Sequence, residues 1–552
     1  MDWSTACLDW RERIVERRPL IALKPLFPKS AADAMEVFDD LLIVDAVGSP
    51  RMGDAARPWV REFVSSIFGA YDPDEGRRLI SEFLLLISKK NAKSTTAAGI
   101  MLTALVKNWR ESGEFGILAP TVETADNAFR PARDMVKRNP DLADLLHVQE
   151  HIRTITHRGT GATLKVVAAD SDAVSGKKWI GTFVDELWAF GKKPKAEDML
   201  LEATGGMASR PEGFVIYATT HSNEAPAGVF KKKLEYARGV RDGRIPDRQF
   251  LPVLYEFPEK MIEAGAHREP KNFYITNPNL GASVDESFLL RKMAEATEGG
   301  EDSVRGFLAK HLNVEIGLRL GSERWAGAEY WEGNAEECLS LEDLLDNSEV
   351  VTIGIDGGGL DDLLGLAVLG RETDTKRWLH WGKAWAHPSV LERRKSEAPR
   401  FLDFMRDGDL VLVEHGQDVA EVADIVEQCE ASGLLDRIGV DPAGIGAIVD
   451  EIVDRKIEFE RIVGLPQGWR MVGAIKTAER RLAEKTLRHG GRPMMAWCLG
   501  NAKPEARGNA IVITKQTAGS AKIDPLMALF NAVALMSMNP KPRRKGYQLF
   551  FS

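Results

Sequence analysis

Short apolar runs at residues 83–87, 116–119, 164–168, 180–184 and 214–218 punctuate the first half of the chain, and helix-length amphipathic stretches separate them. Apolar strands alternating with helices predict a mainly parallel sheet covered on both faces. The pattern changes at residue 351. Runs at 351–356, 363–369 and 377–384 follow one another across short turns rich in Gly, Asp and Thr, which predicts an antiparallel meander. Alternation then resumes, with helices expected over 390–405, 419–432 and 445–454 and strands over 410–413 and 437–441. Residues 225–346 are polar and mixed, broken by Asn277-Pro278-Asn279 and Glu298-Gly299-Gly300-Glu301, and predict a lid and linker region. The expected class is α/β. Its parts are a first domain over 1–260, a lid and linker over 261–345, a second domain over 346–537 and a basic tail over 538–552.

Composition narrows this picture little. With 44% apolar and 28% charged residues over 552 positions, the chain reads as an ordinary globular protein of several domains. The longest apolar runs fall far short of the ~18–20 residues of a membrane span, so no membrane association is expected. Four cysteines (Cys7, Cys338, Cys429 and Cys498) lie far apart without metal-ligand spacing, the pattern of a reduced intracellular protein with no structural zinc. A formal net charge of −9 means that any contact with nucleic acid must come from local patches.

The first candidate chemistry follows the run at 83–87. Ser88-Lys-Lys-Asn-Ala-Lys-Ser94 leads into a predicted helix over 95–109. Strand, turn, Lys-Ser and helix form the layout of a phosphate-binding loop. There Lys93 reaches phosphate, Ser94 can ligate Mg²⁺ and Lys89 can add a second cation. Ile87 and Ala92 stand where such loops carry glycine, and a lysine-rich surface turn is the competing reading. About ninety residues on, the run at 180–184 ends in Asp185-Glu186. In P-loop ATPases such a pair supplies an Asp for the Mg²⁺ shell and a Glu that polarises the attacking water. The run at 214–218 ends in Thr219-Thr220, hydroxyls able to sense the γ-phosphate and couple hydrolysis to movement. Arg210 is a candidate arginine finger toward a neighbouring subunit, with an ordinary surface arginine as the alternative.

The second constellation is acidic. Asp356 ends a strand before Gly357-Gly358-Gly359, Asp441 ends another before Pro442, and Asp524-Pro525 opens a predicted helix over 526–538. Carboxylates converging from strand ends and a helix start can hold two Mg²⁺ or Mn²⁺ ions for phosphodiester cleavage. Each also has a plainer explanation: turn chemistry for Asp356 and Asp441, an N-cap for Asp524. Asp362 is a fourth, weaker acid. His489 reads as an exposed loop histidine that could reach DNA phosphate or a metal.

Taken in order, Lys-Lys-Asn-Ala-Lys-Ser, Val-Asp-Glu, Ala-Thr-Thr, Gly-Ile-Asp, Val-Asp-Pro and Lys-Ile-Asp-Pro resemble the large terminase subunit of tailed double-stranded DNA phages. The likeness includes Leu118-Ala-Pro-Thr121, Ser171-Asp-Ala-Val-Ser-Gly176, Thr276-Asn-Pro-Asn-Leu280, Lys310-His-Leu-Asn313, Gln467-Gly-Trp-Arg-Met471 and Gly508-Asn-Ala510, and it runs from about Trp59 to Met538. The resemblance implies an ASCE-type P-loop ATPase followed by an RNase H-like nuclease. Together they would pump DNA into a procapsid and cut concatemers. It further implies ATP with Mg²⁺ at Lys89, Lys93, Ser94 and Asp185, with Glu186 as catalytic glutamate and Thr219 and Thr220 as coupling motif. Asp356, Asp441 and Asp524 would be the nuclease metal ligands, serving two Mg²⁺ or Mn²⁺ ions. The implied partners are double-stranded DNA, a portal protein, a terminase small subunit and further copies in a ring, in the host cytoplasm. Ala92 and Val60 stand where the family carries glycine and often Gln. A helicase-like or repair ATPase with a non-catalytic second domain is the alternative, and a non-enzymatic scaffold a further one. The basic stretch within the tail, at 541–545, could dock a portal or contact DNA.

Overall fold

A computed structural model describes residues 2–168, 178–193, 195–316, 325–336, 339–358, 362–414, 416–442, 446–507, 510–515 and 522–543. The stretch at 171–176, Gly359, Ala443 to Ile445, Gly508-Asn509, Cys338 and the end of the basic tail lie outside the described residues. The chain forms two compact units, residues 1–316 and 317–552.

The first unit is built on an eight-stranded sheet. Its strands are β1 (Glu82–Leu86), β2 (Glu114–Ala119), β3 (Leu146–Gln149), β4 (Thr154–His157), β5 (Thr163–Ala168), β6 (Trp179–Asp185), β7 (Phe214–Thr219) and β8 (Phe250–Leu254). Their order across the sheet is β8-β1-β7-β6-β2-β5-β4-β3. From β8 to β5 all neighbours are parallel, while β4 and β3 add an antiparallel edge. The mainly parallel sheet is thus present, with the five expected strands in its centre. The three others escape the apolar pattern for physical reasons. β3 and β4 are short and carry His and Thr at the sheet's rim. β8 contains Pro252, which lacks a ladder donor and is tolerated because β8 is an edge strand.

Helices α1 (Pro58–Phe68), α2 (Lys93–Val106), α3 (Val122–Arg138) and α4 (Gly228–Arg241) are joined by α5 (Glu286–Glu298) and α6 (Glu301–His311). α2 buries nearly every residue from Thr96 to Leu105, as a helix central to a covered sheet must. α4 and β8, in the polar and mixed stretch but within the expected first-domain bounds of 1–260, belong to the sheet layers. Residues 261–316 also pack within the first unit, and the boundary falls after Ile316.

The second unit holds a seven-stranded mixed sheet of β9 (Ser348–Gly357), β10 (Leu364–Glu372), β11 (Trp378–Ala386), β12 (Leu410–Leu412), β13 (Leu435–Val440), β14 (Ile462–Gly464) and β15 (Leu487–His489). β9, β10 and β11 form the expected antiparallel meander, while β13 lies parallel to β9 and β14 parallel to β13. β12 and β15 both run parallel to β11, along different parts of it. The helix expected over 390–405 is two helices, Ser389–Arg393 and Ala398–Arg406. Pro399 fits the first turn of the second but would break an uninterrupted helix. α7 (Gln417–Ala431) flanks the sheet, and α8 (Asp524–Met536) lies flush across β9. Thr352 Oγ1 donates to Ala532 O at 3.0 Å, and Asn531 Nδ2 to Ile355 O at 2.9 Å.

That close approach depends on Gly354. A Cβ there would stand 1.9 Å from Ala528 O and 2.5 Å from Ala532 N, both backbone atoms of α8. Gly354→Ala is expected to destabilise the second unit by about 3 kcal/mol, because the helix must move bodily. Calorimetry or urea unfolding measures this. Among the described residues no helix is long and apolar enough to cross a membrane, and Cys7, Cys429 and Cys498 are buried free thiols.

Candidate active sites

The topology brings the first set of residues to the C-terminal ends of three neighbouring strands. β1 runs into the Ser88–Ser94 loop, β6 delivers Asp185 and Glu186, and β7 lies between them and delivers Thr219. Lys93, the first residue of α2, points back across the sheet. Its Nζ lies 3.2 Å from Asp185 Oδ1 and 3.1 Å from Glu186 Oε1. About ninety residues of sequence separate these partners. Ser94 follows in the first turn of α2, where free backbone N–H groups make the helix end attractive to anions.

The electrostatics favour the charged lysine. Burial works against the Lys93 ammonium, but Asp185 and Glu186 outweigh it and hold its pKa above the usual value. Burial raises the pKa of Asp185, against the pull of Lys93. Burial would also raise Glu186, but Lys93 and Lys89 prevail and lower it. Half-buried Lys89 is pushed down, first by burial and then by the cations Lys310, Lys93 and Lys90. His311 is pushed to about 4 by burial and by Lys89, Lys90, Lys310 and Lys292. So many lysines around one loop form a field suited to a polyanion.

Glu186 has left-handed backbone, φ +53°, which tilts its side chain out of line with β6. The indole Nε1 of Trp188 donates to Glu186 Oε2. The backbone N–H of Trp188 in turn donates to Thr219 Oγ1 at 3.0 Å, and Thr219 Oγ1 donates to Thr220 O at 3.0 Å. Thr219 is therefore tied to the segment that carries Glu186. Sequence reasoning missed Trp188, whose only signal was its place two residues after the acidic pair. Arg210 lies before β7 begins, at the opposite end of that strand from Thr219. Six residues of strand, roughly 20 Å, separate the two ends, and the structure does not bring Arg210 to the Lys93 site of its own chain.

In the second unit, Asp356 lies at the end of β9, paired with Gly365 of β10. Ile355 pairs with Val440 of β13, so Asp441 follows one step later on the adjacent strand. Asp524 opens α8 against the same strand ends. A Cβ on Gly357 would meet Asp524 Cβ at 3.3 Å, and one on Gly365 would meet Pro525 Cα at 2.7 Å. The capping reading of Asp524 does not hold. Ile523 occupies the N-cap, and α8 begins at Asp524 rather than at residue 526. Asp356 and Asp524 are buried and Asp441 half-buried. Asp362 forms an ion pair with buried Lys522, the first residue of the Lys-Ile-Asp-Pro stretch, to which the sequence reading gave no role.

His489 is a correction. It is buried on β15, not exposed in a loop. Its ring stacks on Trp331 at 3.6 Å and Nε2 lies 2.8 Å from Trp331 O. It sits beside His380 of β11. Burial, then the repulsion that a second protonated ring at His489 would exert, pushes His380 to about 3, and burial, then Arg488, pushes His489 to about 4 despite its bond to Trp331. Both are neutral when folded and take up protons near pH 6.5 when unfolded. Their contribution is fully present above pH 6.5 and falls as the pH drops toward 4, by about 1.4 kcal/mol per pH unit per histidine. Thermal unfolding of the second unit between pH 7 and 4.5 should show that loss.

Among the described residues one trio, His221, Glu256 and Glu315, has ligand atoms all within 4.8 Å of one another. Arg238 bridges both glutamates, and Arg241 Nη1 donates to Glu256 at 2.8 Å. Burial disfavours the Glu256 carboxylate, but Arg238, His221 and Arg241 hold it well below its usual range. The arginines already neutralise this cluster, so it is a structural charge network.

A mainly parallel α/β unit with a Lys–Asp–Glu site and a mixed-sheet unit with strand-end aspartates define a class, that of an ATPase joined to a nuclease. The sequence matches the terminase large subunit ATPase domain over residues 58–239 and the terminase large subunit endonuclease domain over residues 254–539, and the chain belongs to the terminase large subunit family. It is 23% identical over 344 residues to Protein YmfN of Escherichia coli (strain K12), covering 59% of this chain and 72% of that protein. Among solved structures it is similar to the HK97 bacteriophage large terminase, with 19% identity, 92% of this chain and 99% of that chain covered, and a TM-score of 0.47. A second is the large terminase of a thermophilic bacteriophage in complex with ADP, with 13% identity, 84% and 96% covered, and a TM-score of 0.31. The protein is an ATPase and endonuclease of phage DNA packaging, and the helicase-like alternative is not favoured.

Proposed function

We propose that Lys93 and Ser94 bind the triphosphate of ATP, that Asp185 holds its Mg²⁺ and that Glu186 orients and deprotonates the attacking water. Lys89 adds charge over the phosphates, and Thr219 and Thr220 carry the change in phosphate occupancy to the rest of the unit. A divalent ion on Ser94 and Asp185 would neutralise charge on the transferred phosphoryl group. The observation that carries this reading is the Lys93 ammonium between Asp185 and Glu186 at 3.2 and 3.1 Å. When triphosphate enters, Lys93 exchanges carboxylate for phosphate and releases Glu186 to face water.

In the second unit Asp356, Asp441 and Asp524 form the metal-binding set. Their donors are all hard carboxylate oxygens, two of the three residues being buried, which suits Mg²⁺ or Mn²⁺ rather than zinc. Two such ions would activate water and stabilise the leaving oxygen. The protein works in the host cytoplasm as a homo-oligomeric ring on the portal, with a terminase small subunit, and moves double-stranded DNA into a procapsid. Its DNA contacts are mainly to phosphate, because a packaging motor must accept any sequence. Arg210, at the far end of β7 from Thr219, is placed to act on a neighbouring subunit rather than on its own chain's site.

Plasmid incubated with the purified chain under Mg²⁺ or Mn²⁺ titration tests the nuclease assignment. Linear or nicked product should appear with either ion and vanish in EDTA. Cleavage unaffected by chelation would refute the metal set.

A further inference from the structure

The phosphate loop has the wrong residues to hold its own shape. Lys90 and Ala92 have left-handed backbone, φ +73° and +57°, where glycine would sit without strain. The loop is instead fastened by a segment almost two hundred residues away. Asn91 is fully buried, and its Nδ2 donates to Ser88 O at 3.1 Å, Lys89 O at 3.3 Å and Asn277 Oδ1 at 2.9 Å. Asn91 Oδ1 accepts from the Asn279 backbone N–H at 3.0 Å. Asn277 is itself fixed, donating to Phe273 O at 3.0 Å and His311 O at 2.9 Å.

Two further ties reach the loop backbone. Ser283 Oγ donates to Lys90 O at 2.7 Å, and the Lys89 N–H donates to Lys310 O at 2.8 Å. Asn279 closes the far side, accepting from the Trp59 indole Nε1 at 2.7 Å and donating to Ser283 Oγ at 3.0 Å. Trp59 belongs to α1, so the network spans α1, the loop and the segment before α5. A buried amide network of this kind specifies one geometry, because losing any member leaves its neighbours unsatisfied.

We propose that Asn91, Asn277 and Asn279 form a clasp that positions the phosphate loop for ATP, with Ser283 and Trp59 as its outer anchors. The clasp does from outside what glycines do from within other loops: it holds the backbone N–H groups where phosphate oxygens arrive. These are positioning residues, and the inference rests on the reading of the Lys93 loop as the ATP site. In the sequence Asn277-Pro278-Asn279 reads as a breaker and as part of one of the stretches that carry the family likeness, with no role attached to either asparagine.

Steady-state ATP hydrolysis by the full chain tests it, using Asn91→Ala, Asn277→Ala, Ser283→Ala and the Asn91/Asn277 double variant, with Lys93→Ala alongside. The clasp predicts that KM for ATP rises roughly tenfold in each asparagine variant and about twofold to threefold in Ser283→Ala. The double variant should be no worse than the poorer single, because both break one network. A purely structural role would reduce the folded fraction, lowering apparent kcat and leaving KM unchanged; that result overturns the clasp. Ser283 is exposed, so its variant decides the matter if the asparagine variants do not fold: an unchanged KM overturns the proposal. If Lys93→Ala hydrolyses ATP normally, the site assignment fails and the clasp with it. If Lys93→Ala is inactive while the clasp variants keep the wild-type KM, the clasp alone fails.

Discussion

Glu186→Gln is expected to lower kcat for ATP hydrolysis by roughly a hundredfold to ten-thousandfold, the range that a positioned general base contributes. KM should change little. Gln preserves the side-chain length, and its amide oxygen can still accept from the Trp188 indole that holds Glu186 Oε2. It presents no carboxylate to water, so the variant binds ATP and stalls. The left-handed backbone at Glu186, φ +53°, is the kind of strain retained where it serves a site. Because Thr219 accepts from the Trp188 backbone at 3.0 Å, that strain sits beside the residue proposed to pass the signal on. Single-turnover hydrolysis with a parallel nucleotide-binding measurement separates the stalled state from one that does not bind.

The second large effect is expected at Asp356 and Asp524. Changing either to Asn should reduce plasmid cleavage by roughly a thousandfold, because the lost metal stabilisation is worth several kcal/mol and each ~1.36 kcal/mol is tenfold. Both residues are buried at the junction of β9, β10 and α8, where Gly357 and Gly365 allow α8 to touch the strands. Asn keeps the volume and shape, so the packing survives while the charge proposed to hold the ions is removed. Hydrolysis of ATP, which the Lys93 site in the other compact unit would carry out, should stay near the wild-type rate. Gel assays of nicking and linearisation at fixed Mn²⁺, beside a phosphate-release assay, check both halves.

The sequence made strand centres and strand ends legible, because buried parallel strands leave uninterrupted apolar runs and their C-terminal ends carry the polar residues. Asp185, Glu186, Thr219, Asp356 and Asp441 were singled out that way, and Lys93 and Asp524 by the helix starts beside them; the structure brings each set to neighbouring strand ends. What it hid was lateral. Pro252 masked β8, since a proline at an edge costs the sheet nothing. Asn277 and Asn279 looked like turn residues because their buried partner, Asn91, lies almost two hundred positions earlier. Trp188 and Lys522 belong to residue types with many ordinary roles, and only their neighbours Glu186 and Asp362 reveal what they do. His489 was misjudged because flanking Arg and Gly suggest an exposed loop, whereas the partners that bury it, Trp331 and His380, are distant in sequence.

The most direct measurement sets three proteins side by side: the wild-type chain, Glu186→Gln and Asp441→Ala. Each is assayed for ATP hydrolysis and for Mn²⁺-dependent plasmid cleavage. The predicted result is a crossed pattern, in which Glu186→Gln cuts DNA but does not turn over ATP, and Asp441→Ala hydrolyses ATP but does not cut. Folded variants that lose both activities together, or neither, would contradict the assignment of two chemically separate sites to one polypeptide.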